Sequence, residues 1–225
     1  MAKGTKELKQ RITGAKNIQQ ITSAMEMVAT QKLKRLQSRA DATRPFSGKI
    51  QEMVARLAGS VSRDLSPLLA EATDGTTANL IVTSDKGMCG GYNANLVRFA
   101  VGLLDGDAHE QRNLVLGNKG DILLRARKKP VDVKFEDHVE KLDFTRVRAI
   151  VRDLAKDFLD GRLSRLRIIY TAFESQARQR PRAEVILPID PAELTAAGEA
   201  DADESGGAEA DFIVEPDEQG LPTDL

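Results

Sequence analysis

A glycine-rich turn at residues 84–93, with the sequence SDKGMCGGYN, holds the side chains best suited to chemistry. It follows a short apolar run at 78–83 that is typical of a buried strand, and a dinucleotide-binding fold holds its phosphates at such a turn. The spacing fits neither G-x-G-x-x-G nor G-x-x-x-x-G-K-S/T, and the later glycine turn at 117–120 is followed by Asp121 where a hydroxyl would bind magnesium. We therefore interpret the first turn as structural, and a nucleotide-binding α/β enzyme that uses it is the alternative. The residues assigned to the structural turn are Asp85, Gly87, Cys89, Gly90, Gly91 and Asn93.

Nucleophilic catalysis is the other chemistry that the turn could support. Cys89 is the single cysteine, and a thiol nucleophile needs a base within hydrogen-bond reach. The two histidines, His109 and His138, lie among polar residues elsewhere in the chain. One cysteine and two histidines also exclude an internal disulfide and a zinc site of the Cys/His type. We predict no catalytic residue, no cofactor and no metal.

The elements that must position the turn are those of an α/β domain at 76–190. Apolar runs of strand length alternate with amphipathic helical segments, which favours a Rossmann-like domain with a mainly parallel sheet. One helix has the apolar face Phe144, Val147, Val151, Leu154 and Phe158, with Asp143 as its N-cap and Gly161 as its C-cap. The other segments are predicted strands at 113–116, 131–135, 165–173 and 183–189 and predicted helices at 95–104 and near 118–129.

Residues 1–59 predict one long helix, which a linker at 60–75 joins to the α/β domain. Its apolar seam of Ile18, Ile21, Met25 and Val28 has spacings of 3, 4 and 3, the pattern of a coiled coil. The other faces are polar, so the helix is half of a coiled-coil shaft and needs a partner helix to bury the seam. Pro45 should kink or break it near that position.

Charge is unevenly distributed along the chain. Residues 1–49 hold eleven Lys and Arg against three acids, while residues 191–225 hold eleven acids and no Lys or Arg. The acidic segment is predicted to be a mostly disordered tail with a possible edge strand at 211–215. Nucleic acid is not an expected partner, because residues 1–45 carry no aromatic side chain and the tail would repel polyanions. No apolar run approaches the roughly 20 residues of a membrane span, so we expect a cytosolic or membrane-peripheral protein.

Two blocks of sequence are specific enough to indicate a family. Residues 18–29, IQQITSAMEMVA, followed by Lys32-Leu33, closely resemble the N-terminal signature of the gamma subunit of F-type ATP synthases. Residues 83–93, TSDKGMCGGYN, resemble a second signature of that family, and the order and spacing of the blocks fit. Weaker matches extend the resemblance over residues 4–216.

The resemblance implies a central-stalk rotor subunit that performs no chemistry itself. Its N-terminal helix would pair with a C-terminal helix inside a ring of three alpha and three beta subunits. Its α/β domain would lie near the epsilon subunit and the membrane rotor ring, peripheral to the cytoplasmic face of a bacterial plasma membrane. Rotation would couple proton flow to ATP synthesis and hydrolysis. The residues expected to face the beta-subunit lever are Met25, Glu26, Met27, Lys32 and Arg35.

One departure from the family concerns the end of the chain. The family ends in a long C-terminal helix that supplies half of the shaft, whereas this sequence stops at Leu225. The expectation is therefore either a fragment of a longer rotor subunit or a truncated, non-coupling gamma-like protein.

Overall fold

A computed structural model describes residues 2–60, 66–70, 75–175 and 178–190. Most of the predicted linker at 60–75 and the whole predicted tail at 191–225, with its edge strand at 211–215, lie outside the described residues. The chain divides into two compact units, one of which contains the helix up to Val54 and the other the α/β domain from Ala55 onward.

The first helix, α1, runs from Ala2 to Ser60 without interruption. Straight-chain residues with high helix propensity dominate it, and several Thr and Ser hydroxyls bond the carbonyl four residues back, as Thr22 does to Ile18 at 2.8 Å. Of the kink or break expected at Pro45, the break is absent, because α1 continues through this residue as one helix. Proline removes one backbone hydrogen bond, and on this exposed helix water can bond the freed carbonyl.

The second unit is a five-stranded sheet with the order β3-β2-β1-β4-β5. β1 pairs in parallel with β2 and β4, β2 pairs in parallel with β3, and only β5 is antiparallel. This confirms the predicted fold class, a long helix plus a Rossmann-like α/β domain with a mainly parallel sheet. The elements are β1 Thr76–Val82, α2 Tyr92–Gly106, β2 Gln111–Leu116, α3 Asn118–Ala126, β3 Val133–Phe135, a short 3-10 helix Val139–Lys141, α4 Phe144–Leu159, β4 Leu163–Phe173 and β5 Gln179–Leu187.

Each face of the sheet carries its own apolar core, because successive side chains of a strand point to opposite faces. On one face Ile81 and Val115 pack with Leu96 of α2 and Leu124 of α3. On the other face the strands pack against the buried side of α4, which is formed by Ile150, Leu154 and Phe158.

The structure confirms the predicted N-cap of α4 and corrects its predicted C-cap. Asp143 is the N-cap, and its carboxylate accepts a hydrogen bond of 2.8 Å from the backbone N–H of Arg146. The C-cap is Asp160 and not Gly161. Gly161 is the next residue, where its φ of +74° provides the left-handed turn that ends many helices.

The strand order creates a switch point beside β1. The chain goes from β1 outward to β2 and β3, then returns through α4 to β4 on the other side of β1. A crevice therefore opens at the carboxyl ends of β1 and β4, which is the usual ligand position in open α/β sheets. The glycine-rich turn at 84–93 lies directly after β1, at this crevice.

Candidate functional site

The seam of α1 is exposed to solvent along the helix. Ile18, Ile21, Met25 and Val28 have exposed fractions of 66%, 61%, 52% and 57%. Fully burying such a side chain stabilises a protein by about 1.5–3 kcal/mol relative to leaving it in water. Covering this seam with a partner helix would therefore contribute a large favourable binding free energy. It continues through Leu8, Ile12, Leu33, Leu36, Ile50 and Met53, which are exposed as well.

The five predicted lever-contact residues do not share one face of α1. An α-helix turns about 100° per residue, so Met27 lies about 200° from Met25 and on the side opposite the seam. Lys32 is seven residues after Met25 and returns to the seam face. Met27 is 62% exposed and Met25 is 52% exposed, so both faces of the helix are accessible. Arg35 is seven residues after Val28 and returns to the edge of the seam in the same way, whereas Glu26 lies between the two faces.

The polar groups of the glycine-rich turn bond within the domain. Asn93 donates from Nδ2 to Ser84 Oγ at 2.7 Å, and its Oδ1 accepts from the backbone N–H of Ser84 at 3.1 Å. Asp85 Oδ2 accepts from the backbone N–H of Val139 at 2.9 Å. These bonds tie both ends of the turn together and fasten it to the short 3-10 helix before α4.

Close backbone approach explains why glycines occupy the neighbouring turn. A Cβ on Gly117 would lie 2.7 Å from Thr83 Oγ1, and Gly117 has a φ of +101°. A Cβ on Gly120 would also lie 2.7 Å from Thr83 Oγ1. Thr83 donates from Oγ1 to the Gly117 carbonyl at 3.1 Å and accepts from the Gly120 backbone N–H at 2.8 Å. The two turns are therefore packed against each other through one buried threonine.

Cys89 has polar neighbours but no base among them. The thiol is exposed, and Asn93 donates from Nδ2 to Sγ at 3.1 Å. His138 lies 3.7 Å from Asp85 Oδ2, and His109 lies 2.9 Å from Asp107 Oδ1. Within the described ranges, neither histidine forms a hydrogen bond with Cys89. The arrangement lacks the nucleophile–base contact that covalent catalysis requires.

A cavity of about 320 Å³ lies between this turn, the start of α2 and the paired strands β4 and β5. It opens onto the first turn of α2, whose N-cap Gly91 supplies no side-chain hydrogen bond. The lining contains no Lys or Arg, so a phosphate here would have no cationic partner among the lining residues. The lining residues are Cys89, Gly91, Tyr92, Asn95, Thr171, Gln179 and Pro181.

A polar network at the opposite end of the sheet was not predicted from the sequence. Arg167 of β4 pairs with Asp107, and both side chains are only 11% exposed. Burial of Asp107 opposes its ionisation, but hydrogen bonds from His109 and Arg167 outweigh that and lower the pKa of Asp107 to about 2. Asn79 of β1 lies beside Arg167 and donates to Asn113 of β2 at 3.2 Å. The sequence signal that could have indicated this network is the occurrence of Asn79, Asn113 and Arg167 inside otherwise apolar strands.

Two further properties of the described ranges bear on function. No three side chains of His, Cys, Asp or Glu there are grouped so that they could hold a metal ion. No described helix combines the length and the apolar character needed to cross a membrane.

A long helix with an exposed coiled-coil seam, joined to a small Rossmann-like domain, defines an α/β protein whose helical arm requires a partner. The ATP synthase family model matches residues 4–225. The ATP synthase gamma chain of Moorella thermoacetica is 35% identical over 184 residues, which cover 82% of this chain. The gamma chain of Chlorobaculum parvum is 33% identical over 227 residues, which cover 98% of this chain. The chain therefore belongs to the ATP synthase gamma chain family, which confirms the resemblance of the two signature blocks.

The fold also has a counterpart among solved structures. The central stalk and c-ring structure of the Tetrahymena thermophila mitochondrial ATP synthase contains a chain that matches with a TM-score of 0.58 and 23% identity. The match covers 84% of this chain and 80% of that one, and it supports the fold. The present chain spans 65% of the length of the Moorella relative and 75% of the Chlorobaculum relative.

Proposed function

We propose that this chain is the central-stalk subunit of an F-type ATP synthase and couples a membrane rotor ring to the alpha/beta catalytic ring by rotation. It performs no chemistry itself. The observation that carries the proposal is the exposed seam of Ile18, Ile21, Met25 and Val28 on a 59-residue helix, in a chain of the gamma family. At 1.5 Å per residue this helix is about 90 Å long, enough to reach through a ring of subunits.

The helix geometry divides the predicted contact residues between two roles. We assign the seam, including Met25, to a partner helix of the shaft, with Lys32 at a seam position where a charged residue can set register. We assign Met27 and Glu26 to the face that meets the beta-subunit lever, while Arg35, seven residues after Val28, borders the seam. The net positive charge of residues 1–49 favours an acidic surface on that lever.

Paired substitutions at Met25 and Met27 test this division in the complete enzyme. Met25→Lys places a charge in the seam, and we expect coupled ATP synthesis to fall at least tenfold, with weaker helix pairing. Met27→Lys should change the lever contact while the shaft assembles normally. Met25→Leu and Met27→Leu are the matched controls, since they keep an apolar side chain of similar volume. Full coupling in the Met25→Lys enzyme would contradict the seam assignment.

The α/β domain would supply the foot of the stalk. We propose that it contacts the epsilon subunit and the membrane rotor ring, and that the turn at 84–93 serves only to hold α2 and the loops of that foot together. The complex would lie at the cytoplasmic face of a bacterial plasma membrane, to which this chain is peripheral. Affinity purification of the tagged chain from its native membranes should recover alpha, beta and epsilon subunits, and recovery of none of them would overturn the assignment.

The alternatives have their own tests. Nucleotide binding at the cavity beside Cys89 predicts heat on titration of ATP, ADP or NAD, whereas a structural turn predicts none. A truncated, non-coupling relative predicts an intact mass of 24.6 kDa in native cells together with absent coupling. A larger mass and normal coupling support the rotor assignment.

A further inference from the structure

α4 carries an apolar ridge that its own domain leaves exposed. Side chains four positions apart form ridges along a helix, and one ridge of α4 consists of Val147, Val151, Ala155 and Leu159. Its three larger members are 42%, 41% and 40% exposed, whereas Leu154, on the side that faces the sheet, is buried. The small Ala155 near the middle of the ridge lets the backbone of another element approach closely.

A second ridge runs beside the apolar one, about 60° further around the helix. It consists of Phe144, Arg148, Arg152 and Lys156, all of them exposed. The groove between two such ridges is the place where a ridge of a second helix packs. We call the apolar ridge and this basic ridge together the outer face of α4.

The two arginines of the basic ridge have no acidic partner within α4. No Asp or Glu occupies the positions three or four residues before or after either Arg148 or Arg152, so neither can form an intrahelical ion pair. Neither side chain forms a salt bridge within the described ranges, whereas Arg146, on another side of α4, is held by Asp137 at 2.8 Å. Arg148 and Arg152 therefore present two guanidinium groups one helical turn, about 6 Å, apart.

This arrangement of charge and apolar surface fits an amphipathic helix with acidic residues along one flank. A guanidinium group binds a carboxylate through two parallel hydrogen bonds, and two carboxylates four residues apart on a helix have the spacing of Arg148 and Arg152. Apolar side chains beside that flank would cover Val147 and Val151. An anionic membrane fits less well, because the exposed Asp153 borders the basic ridge on its other side and would meet the headgroups.

We propose that the outer face of α4 is the docking surface for an amphipathic helix of another protein chain that carries two carboxylates one turn apart. Arg148 and Arg152 bind these carboxylates, and the apolar side chains of the docked helix pack along Val147, Val151 and Leu159. The α/β domain thereby has a partner-binding surface of its own. The inference rests on α4 alone and does not depend on the rotor assignment.

Photo-crosslinking of the full chain in its native cells tests the nature of the partner. Phe144→p-benzoylphenylalanine replaces one exposed aromatic side chain of the outer face by another, and mass spectrometry identifies the captured segment. We expect a segment of another chain with Asp or Glu at helical spacing beside apolar residues. Adding Arg148→Glu and Arg152→Glu should lower its yield roughly tenfold. Capture of lipid alone, capture of a segment without acidic residues, or no intermolecular cross-link would overturn the proposal.

A pair of designed peptides tests the charge preference directly. Both are amphipathic helices of about five turns with photo-leucine on the apolar side, and they differ only in having Glu or Lys along one flank. Mass spectrometry counts labels on residues 144–159 separately from labels on α1. The Glu peptide should label α4 roughly ten times more than the Lys peptide, and Arg148→Glu with Arg152→Glu should reverse this preference.

Matched variants separate docking on α4 from a general effect of charge. Arg127→Glu with Lys128→Glu makes the same change in net charge after α3 and should leave the preference for the Glu peptide intact. Arg148→Lys with Arg152→Lys keeps the charge and should keep most of the labelling, whereas Val151→Ser should lower labelling by both peptides. Circular dichroism verifies that each variant is folded. The same peptide preference in both charge-reversed variants would contradict docking on the outer face of α4.

Discussion

α1 and the α/β domain use apolar residues in opposite ways. In the domain, Ile81, Leu96 and Ile169 are completely buried, and each strand has one face for each of two cores. In α1, the seam residues remain more than half exposed although their spacing is that of a coiled coil. The domain therefore packs two apolar cores of its own, while α1 has the surface of one half of an interface. Substitutions at chemically equivalent positions in the two regions should have different effects.

The largest contrast is expected between two glycines. Gly117→Ala should destabilise the domain by about 3 kcal/mol or more, because its Cβ would collide with Thr83 and the residue has a φ of +101°. Gly14→Ala should stabilise α1 by up to about 1 kcal/mol, since Gly14 is helical and the added Cβ would meet no atom within 4 Å besides the helix's own nearby backbone. Urea unfolding monitored by circular dichroism measures both. A mild effect of Gly117→Ala would mean that the two turns can separate at little cost.

Large-to-small substitutions should give the next largest difference. Leu96→Ala leaves a cavity in the α2 side of the core and should cost about 2–5 kcal/mol. Ile21→Ala in the isolated chain should change stability by less than about 0.5 kcal/mol, because the side chain is 61% exposed and alanine favours helix. Adding a helix that covers the seam should make Ile21→Ala costly. If the cost stays negligible with the partner present, Ile21 is not in the interface.

Local sequence patterns predicted the helices and strands, because their formation depends on residues that are close together in the chain. The spacing of Ile18, Ile21, Met25 and Val28 indicated the long helix, and the strand and helix alternation indicated the parallel sheet. The same periodicity could not show that Phe144 and Val151 are exposed whereas Leu154 and Phe158 are buried. An apolar helix face has the same spacing whether or not the domain covers it.

Those patterns could not predict contacts between residues that are far apart in the sequence. Arg167 and Asp107 are 60 residues apart and meet only because the sheet places β4 beside β1. Pro45 shows the opposite limit, since the local rule allowed either a kink or a break and α1 continues through this residue as one helix. The lever contacts assigned to Met25, Glu26, Met27, Lys32 and Arg35 remain predictions.

The network around Asp107 predicts a pH dependence of the stability of the α/β domain. The pKa of Asp107 is lowered from 3.8 to about 2, so its ionised form stabilises the folded domain by about 2 kcal/mol. This contribution is fully present above about pH 4 and is lost as the pH falls through 2, because protonation removes the pairing with Arg167. Urea unfolding at pH 5, 4, 3 and 2 should show the loss for the domain. In Asp107→Asn the slope between pH 4 and 2 should be smaller, and an unchanged slope would assign the titration to other carboxylates.

The smallest effect concerns the beginning of a helix in each region. α4 starts at a side-chain cap, and Asp143→Ala should cost about 1 kcal/mol because the N–H of Arg146 loses its acceptor. α1 has no acidic residue in its first turn, so its stability must come from propensity and from the partner that covers its seam. Hydrogen exchange of α4 amides measures the effect, and Asp153→Ala, an exposed change in the middle of the same helix, is the control. Equal protection in the two variants would show that packing of Ile150, Leu154 and Phe158 alone fixes the start of α4, and would make its stability independent of capping.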